Sequence, residues 1–161
     1  MRGILRFFYH VLVFATAARV VVTGGSMHPA LDSGEYVLFN RLAYLRRRPK
    51  RGDVVLLRGV QGGKGAMVKR VVGIPGDSVQ LLQGLVLVND APVEGAPFSE
   101  GPDLWEPASW LLGEEEYFLL GDARDVSTDS RSFGPGVRRA IRGRAWLVYW
   151  PLSRWRRLEG R

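Results

Sequence analysis

The sequence contains no cysteine and only two histidines, His10 and His28. Without cysteine there is no disulfide framework, no thiolate nucleophile and no Cys-ligated zinc, and the redox compartment is left open. Two imidazoles nearly exclude a multi-histidine metal centre, and no carboxylate spacing suits magnesium or calcium, so neither metal nor cofactor is expected. Lysine is scarce beside arginine. Long uniformly apolar runs are also few, and the first stands at the N-terminus.

What is present describes a globular chain. At 161 residues, with 46% hydrophobic and 24% charged, it is long enough for one domain with its own core. The 20 glycines and 9 prolines imply many turns between short strands, so the composition points to an all-β fold. The net charge of +7 lies largely in residues 46–51 and 138–161. Such arginine runs attract phosphate of nucleic acid or of anionic lipid, or are simply solvated. Trp146, Trp150 and Trp155 in the tail favour a membrane interface, where amphipathic rings sit at headgroup depth, so membrane lipid is the expected partner and nucleic acid is not.

Residues 4–22 are mostly apolar and near the ~20 residues that cross a hydrocarbon core. Arg6, His10 and Arg19 interrupt the run, but the two arginines lie near its ends and can snorkel. A removed secretory signal, with Ala15-Thr16-Ala17 as a small-x-small site, and a buried helix are the alternatives. The expectation is an anchor over residues 1–22, a single transmembrane helix with the N-terminus cytoplasmic, followed by a catalytic domain over residues 23–161 on the outer face.

Short strands follow in the pattern: residues 35–39, 53–57, the run around Lys69, 78–82, 85–88, 116–120 and 141–150. Residues 61–65 read as a hairpin loop and 95–113 as an irregular surface connection. Residues 156–157 read as a frayed end.

Three stretches concentrate chemistry. Gly24-Gly25-Ser26-Met27-His28-Pro29 sets a serine among residues that allow close backbone approach. A serine needs a base, and neither histidine has an evident orienting acid. Lysine serves only when neutral; from an unperturbed pKa of about 10.4, a shift of ~3 units would make it competent, and apolar burial can supply it. Lys69, in Met67-Val68-Lys69-Arg70-Val71-Val72-Gly73-Ile74-Pro75-Gly76-Asp77, is the lysine so placed. Strand alternation sets Met67, Lys69 and Val71 on one face; an edge-strand charge that discourages aggregation is the bland alternative. The third stretch is Gly121-Asp122-Ala123-Arg124-Asp125-Val126-Ser127-Thr128-Asp129-Ser130-Arg131.

Together with Arg51-Gly52-Asp53-Val54-Val55, these stretches resemble the successive boxes of type I signal peptidases in order, spacing and content. The resemblance implies a membrane-bound Ser/Lys serine endopeptidase that removes signal peptides from exported preproteins. It implies a mainly β, antiparallel and barrel-like catalytic domain behind one transmembrane helix. Carried over by position, Ser26 is the nucleophile and Lys69 the general base; Ser127 orients the lysine amine, Asp129 and Arg131 form a supporting ion pair, and Asp122 braces the loop. Val22, Gly24, Met27, Leu31, Met67 and Val68 line the small pockets, giving a preference for alanine at the first and third positions before the cut. The substrate backbone pairs with strand edges at residues 20–24 and 67–69.

Gly24 departs from members that carry a serine there as the second oxyanion donor, beside the Ser26 N–H. Ala30 and Ala123 stand where threonine and asparagine are usual. The short interval between Asp77 and Gly121 marks a compact member. A pilus-maturation peptidase of the same Ser/Lys type, and a non-catalytic membrane-tethered β module, are the alternatives; a self-cleaving repressor would need a DNA-binding domain before Ser26.

Overall fold

In the computed structural model of the protein, residues 2–60, 65–82, 85–93 and 107–158 are described. Helix α1 (Arg2–Thr16) opens the chain, and strand β1 (Ala18–Val21) follows after a single residue. The apolar segment expected to be one helix through residue 22 therefore changes conformation at Ala17. Beyond that point Arg19 and Val21 alternate with Ala18 and Val20, and the backbone pairs antiparallel with β2 (Tyr36–Asn40), Ala18 opposite Phe39. At ~1.5 Å per residue the 15 residues of α1 extend roughly 22 Å, short of the ~30 Å hydrocarbon core. No helix among the described residues is long and apolar enough to cross a membrane.

The remaining strands are β3 (Val54–Arg58), β4 (Ala66–Gly73), β5 (Ser78–Leu82), β6 (Leu85–Val88), β7 (Ala91–Pro92), β8 (Ala108–Leu111), β9 (Glu116–Leu120), β10 (Gly136–Val137), β11 (Ile141–Trp150) and β12 (Arg156–Arg157). They form two sheets. The larger has the order β1-β2-β11-β3-β4-β9-β10 with β12 added on β11, and the smaller the order β7-β6-β5-β8. All pairings are antiparallel. The expected antiparallel β architecture therefore takes the form of two sheets meeting at a shared core, and among the described residues no pairing joins β1 to β10 to close a barrel.

Three corrections concern the expected elements. Ala108–Leu111, placed in an irregular connection, is a strand: Trp110 lies opposite Val79 and its ring packs 5.0 Å from that of Phe118. Residues 95–106 of that connection lie outside the described residues, as do 61–64 of the expected hairpin loop. Residues 156–157 are held by β11, with Arg156 forking onto buried Glu35 at 2.7 and 2.9 Å. The edge-strand reading of Lys69 also fails, because β4 has β3 on one side and β9 on the other.

The core is assembled from three apolar clusters. One joins Val22, Met27 and Leu31 to β2, β3 and β11 through Phe39, Leu56 and Val148. A second fills the β3–β4–β9 region with Val55, Leu57, Val71 and Leu119. The third welds the sheets together, setting Val72, Phe118 and Leu120 of the larger against Val79, Leu81, Val86 and Val88 of the smaller. Gly73 sits at that junction because a Cβ would come within 2.9 Å of both Leu112 and Phe118. This packing fixes β4 and β9, the two strands that carry Lys69 and launch the charged loop.

Candidate active site

Ser26 lies in a turn where the chain leaves β1 for β2. That turn is pinned at both ends: Val22 N–H donates to Glu35 O at 2.8 Å and Leu31 N–H to Met27 O at 2.8 Å. Gly24 adopts φ +77°, left-handed backbone that an L side chain rarely accepts, with open space where a Cβ would stand. Met27 and Leu31, at 1% and 0% exposure, anchor the turn in the core, and Ser26 just before them stays partly exposed.

Lys69 lies in the middle of β4, opposite Val55 of β3, and is 4% exposed. Its Nζ is 3.2 Å from Ser26 Oγ and 3.0 Å from Ser127 Oγ. Burial pushes the amine below its ordinary value of 10.5; Asp129 opposes the shift, Arg131 adds to it, and Asp122 opposes it. Burial is the largest of these effects, so the neutral amine is favoured relative to a lysine in water.

The loop after β9 closes over this amine. Ala123 N–H donates to Ser26 O at 3.1 Å, tying the loop to the serine turn. Gly121 is the point of closest approach. A Cβ there would fall on Ser127 Oγ and come within 2.6 Å of Ser26 O, so only glycine lets the two hydroxyl-bearing segments meet. Asp129, wholly buried, accepts from Arg131 Nε at 2.9 Å, from Arg131 Nη2 at 3.1 Å and from Gly121 N–H at 3.0 Å. Burial alone would raise the Asp129 pKa, but the Arg131 guanidinium and the Gly121 N–H together hold it below its ordinary 3.8. The same carboxylate caps the short helix α2 (Ser130–Phe133) through Arg131 N–H. Arg131 Nη2 also donates to the carbonyls of Arg124 at 2.6 Å and Ser127 at 3.3 Å, so the ion pair staples the loop that presents the Ser127 hydroxyl.

Asp122 is engaged by Arg70, the neighbour of Lys69, in a two-pronged contact at 2.7 Å on each prong. Arg70 Nη1 further donates to Gly52 O at 2.8 Å. Loop, β4 and the Arg51-Gly52 turn are thereby joined, with Arg51 in turn ion-paired to Asp77. Among the residues singled out for substrate pockets, Val22, Met27 and Leu31 are buried core, Met67 and Val68 are half-buried, and Gly24 is exposed. Three contributors stand inside the quoted stretches but were given no role there: Gly121, Arg70 and Arg124. Gly121 before a hydroxyl-rich loop is the one signal that could have been noticed, because a glycine between a strand end and a charged loop often marks close backbone approach.

His28 does have an acid partner, contrary to expectation: its Nδ1 lies 2.7 Å from Asp32 Oδ1, at an exposed position. No hydrogen bond among the described residues joins it to Ser26. The described residues also hold no cluster of His, Cys, Asp or Glu suited to a metal ion.

Comparison with known proteins gives the arrangement its context. The family described as signal peptidase, peptidase S26, matches residues 3–150. The chain is similar to a signal peptidase I of Leptolyngbya laminosa, 32% identical over 152 residues that span 89% of this chain and 73% of that protein. It is also similar to the probable signal peptidase I-2 of a Synechocystis strain, 30% identical over 149 residues that span 89% of this chain and 67% of that one. A crystal structure of a signal peptidase I from Enterococcus faecalis shares the fold, with TM-score 0.50, 24% identity, and coverage of 61% of this chain and 97% of that one. A match across nearly the whole length leaves one conclusion: the chain belongs to the signal peptidase I (peptidase S26) family and is a serine endopeptidase.

Proposed function

We propose that this endopeptidase is membrane-attached and removes signal peptides from exported preproteins with Ser26 as nucleophile and Lys69 as general base. The observation that carries the reading is one buried amine lying within hydrogen-bond reach of two hydroxyls, 3.2 Å from Ser26 Oγ and 3.0 Å from Ser127 Oγ.

In the neutral state Nζ donates one hydrogen to Ser127 Oγ and turns its lone pair to Ser26, whose O–H then donates. As Ser26 Oγ bonds to the scissile carbonyl carbon, its proton passes to Nζ. The resulting ammonium gives that proton to the leaving nitrogen, the C–N bond breaks, and an acyl ester remains on Ser26. Water then attacks the ester, Lys69 takes the water proton, and its return to Oγ regenerates the serine. The Ser26 backbone N–H is one oxyanion donor; glycine at position 24 has no hydroxyl to supply the second, so another group or water fills that role. Asp129 and Arg131 hold the Ser127 loop, and Asp122 holds it to Arg70. None of the three needs to exchange a proton.

A substrate strand pairs along residues 20–24 and 67–69, and the half-buried Met67 and Val68 with the core-set Val22, Met27 and Leu31 leave room for small side chains before the cut. The exported side of a membrane suits this activity. Phe7, Phe8, Val11, Leu12 and Phe14 of α1 are each at least half exposed, as are Trp150, Leu152 and Trp155. An apolar helix surface with interfacial tryptophans elsewhere on the chain fits a domain held against lipid, with its N-terminus on the cytoplasmic side.

The test is cleavage of a preprotein with an Ala-x-Ala site in lipid or detergent. Ser26→Ala and Lys69→Ala are each expected to lose at least about a thousandfold in kcat/KM, as for groups that act as a unit. Parent activity rises with pH through an apparent pKa below 10.5, since the basic form is the neutral amine. Replacing either substrate alanine with phenylalanine abolishes cutting. Persistent cutting by Lys69→Ala would sink the dyad and shift attention to the His28–Asp32 pair.

A further inference from the structure

Beside the proposed cutting centre runs a groove of about 1200 Å³, larger than the ~300–1,000 Å³ of a typical small-molecule pocket and large enough for several residues of a peptide. Its walls continue the segments that carry Ser26 and Lys69. His28 to Leu31 follow the serine, Arg70 to Val72 follow the lysine along β4, and Asp122 to Asp125 come from the loop that covers the amine. The substrate residues before the cut are assigned to the opposite ends of the same segments, at 20–24 and 67–69. A peptide crossing Ser26 from that side therefore leaves through the groove.

The groove is rich in guanidinium. Arg51, Arg70, Arg124 and Arg157 line it against two carboxylates, Asp122 and Asp125. Arg70 and Arg51 are committed to Asp122 and Asp77. Arg124 is different. It is 8% exposed, its Nε and Nη1 have no hydrogen-bond partner among the described residues, and no ion pair joins it to any of them. Its backbone is held by Arg131 Nη2, so the side chain cannot simply drift into water with its loop. Leaving a buried charged donor unmatched is costly, and an incoming carboxylate would offset that cost with short charge-assisted hydrogen bonds. Burial already lowers the Arg124 pKa, the direction expected of a cation short of partners.

We propose that this groove receives the first residues of the mature chain, beyond the scissile bond, and that Arg124 binds an acidic side chain among them. The inference rests on the reading of Ser26 and Lys69 as the cutting centre. It adds a selectivity on the far side of the cut, set by charge and independent of the small pockets before it.

The experiment measures kcat/KM for preproteins carrying Asp, Asn or Lys in turn at each of the first few positions after the cut. One position is expected to favour Asp over Asn by about tenfold, the effect of a single charge-assisted hydrogen bond, with Lys poorer than both. In Arg124→Gln the Asp-to-Asn ratio falls to near one, and Arg124→Lys restores part of it. Equal rates for Asp, Asn and Lys at every position in the parent would overturn the proposal while leaving the peptidase reading intact; this arm needs no variant to fold. Inhibition by inorganic phosphate with no charge preference in the substrate would assign the groove to a small anion, and overturn it equally. Should the parent cut no preprotein, the peptidase reading fails by itself. Binding of acidic and neutral mature-end peptides, followed by fluorescence anisotropy, then decides the groove: tighter binding of the acidic peptide that weakens with salt upholds it, and equal binding overturns it.

Discussion

In the four-stranded sheet, Val79, Leu81, Val86 and Val88 fill the interior with aliphatic carbon, whereas at the β4–β9 end of the larger sheet Lys69, Ser127, Asp129, Ser130 and Arg131 are buried to a similar depth. The first kind of burial stabilises by itself, at roughly 25 cal/mol per Å² of apolar surface. The second costs free energy unless each polar atom is matched. The structure meets that condition with one carboxylate that serves Arg131, the Gly121 N–H and the α2 cap together. Ser130 Oγ adds to it by accepting from Leu119 N–H at 3.0 Å. The small sheet is a weld; the polar end is a scaffold whose members depend on one another.

The largest effect should come from breaking that scaffold at its centre. Asp129→Ala leaves Arg131 buried without its counter-charge, and is expected to cost about 3–5 kcal/mol in urea denaturation, with activity lost alongside. Leu81→Ala, in the weld, should cost about 2–5 kcal/mol yet leave kcat/KM per folded molecule near the parent value. An Asp129→Ala loss no larger than the ~0–1 kcal/mol of a surface pair, such as Arg48–Glu115, would erase the distinction between the two regions.

A smaller effect on stability with a sharper effect on chemistry is expected at Gly121. In Gly121→Ala the new methyl meets Ser127 Oγ and Ser26 O, so the hydroxyl, the serine turn, or both must shift. A displacement of that kind costs about a hundredfold in rate, against a destabilisation of about 1–3 kcal/mol for an overpacked contact. Measuring kcat/KM beside the urea midpoint separates the two. Proportionate loss of both would mean the residue serves folding alone.

The weld was easier to foresee than the scaffold. The bounds of β5, β6, β9 and β11 coincide with those anticipated, because turn residues flank short runs of alternating or β-branched side chains. β1 was absorbed into the helix before it, since an apolar run carries little sign of where 3.6 periodicity yields to 2. β8 was hidden because what makes it a strand is its register on β5 and the Trp110–Phe118 contact, both tertiary. At the site, family likeness singled out Ser26, Lys69, Ser127, Asp129 and Arg131, and the fold brings them together. That Asp122 braces the loop by way of Arg70, that His28 pairs with Asp32, and that the Arg124 Nε and Nη1 lack a hydrogen-bond partner among the described residues all depend on which loops meet, and local pattern is silent on that.

The finest distinction between the regions lies in how their stability responds to pH. Burial holds the Lys69 pKa below 10.5 in the folded chain, while the unfolded chain keeps the ordinary value. Below the folded pKa the amine is protonated in both states, and the full cost of burying a cation is present. Between the folded pKa and 10.5 the unfolded state binds the extra proton, so stability rises with pH; above 10.5 the gain is complete. The aliphatic weld has no such dependence. Lys69→Met, which keeps the length of the chain and removes the titration, should therefore be stabilised relative to the parent most at low pH, with the difference narrowing as pH rises towards 10. Urea denaturation of both proteins at a series of pH values above the carboxylate range reads this directly: Asp122 and Asp129, which interact with the amine, stay ionised there, and groups remote from Lys69 cancel in the comparison. A constant difference across the series would place the Lys69 pKa at its ordinary value, and would leave the neutral amine without the burial that the proposed chemistry requires.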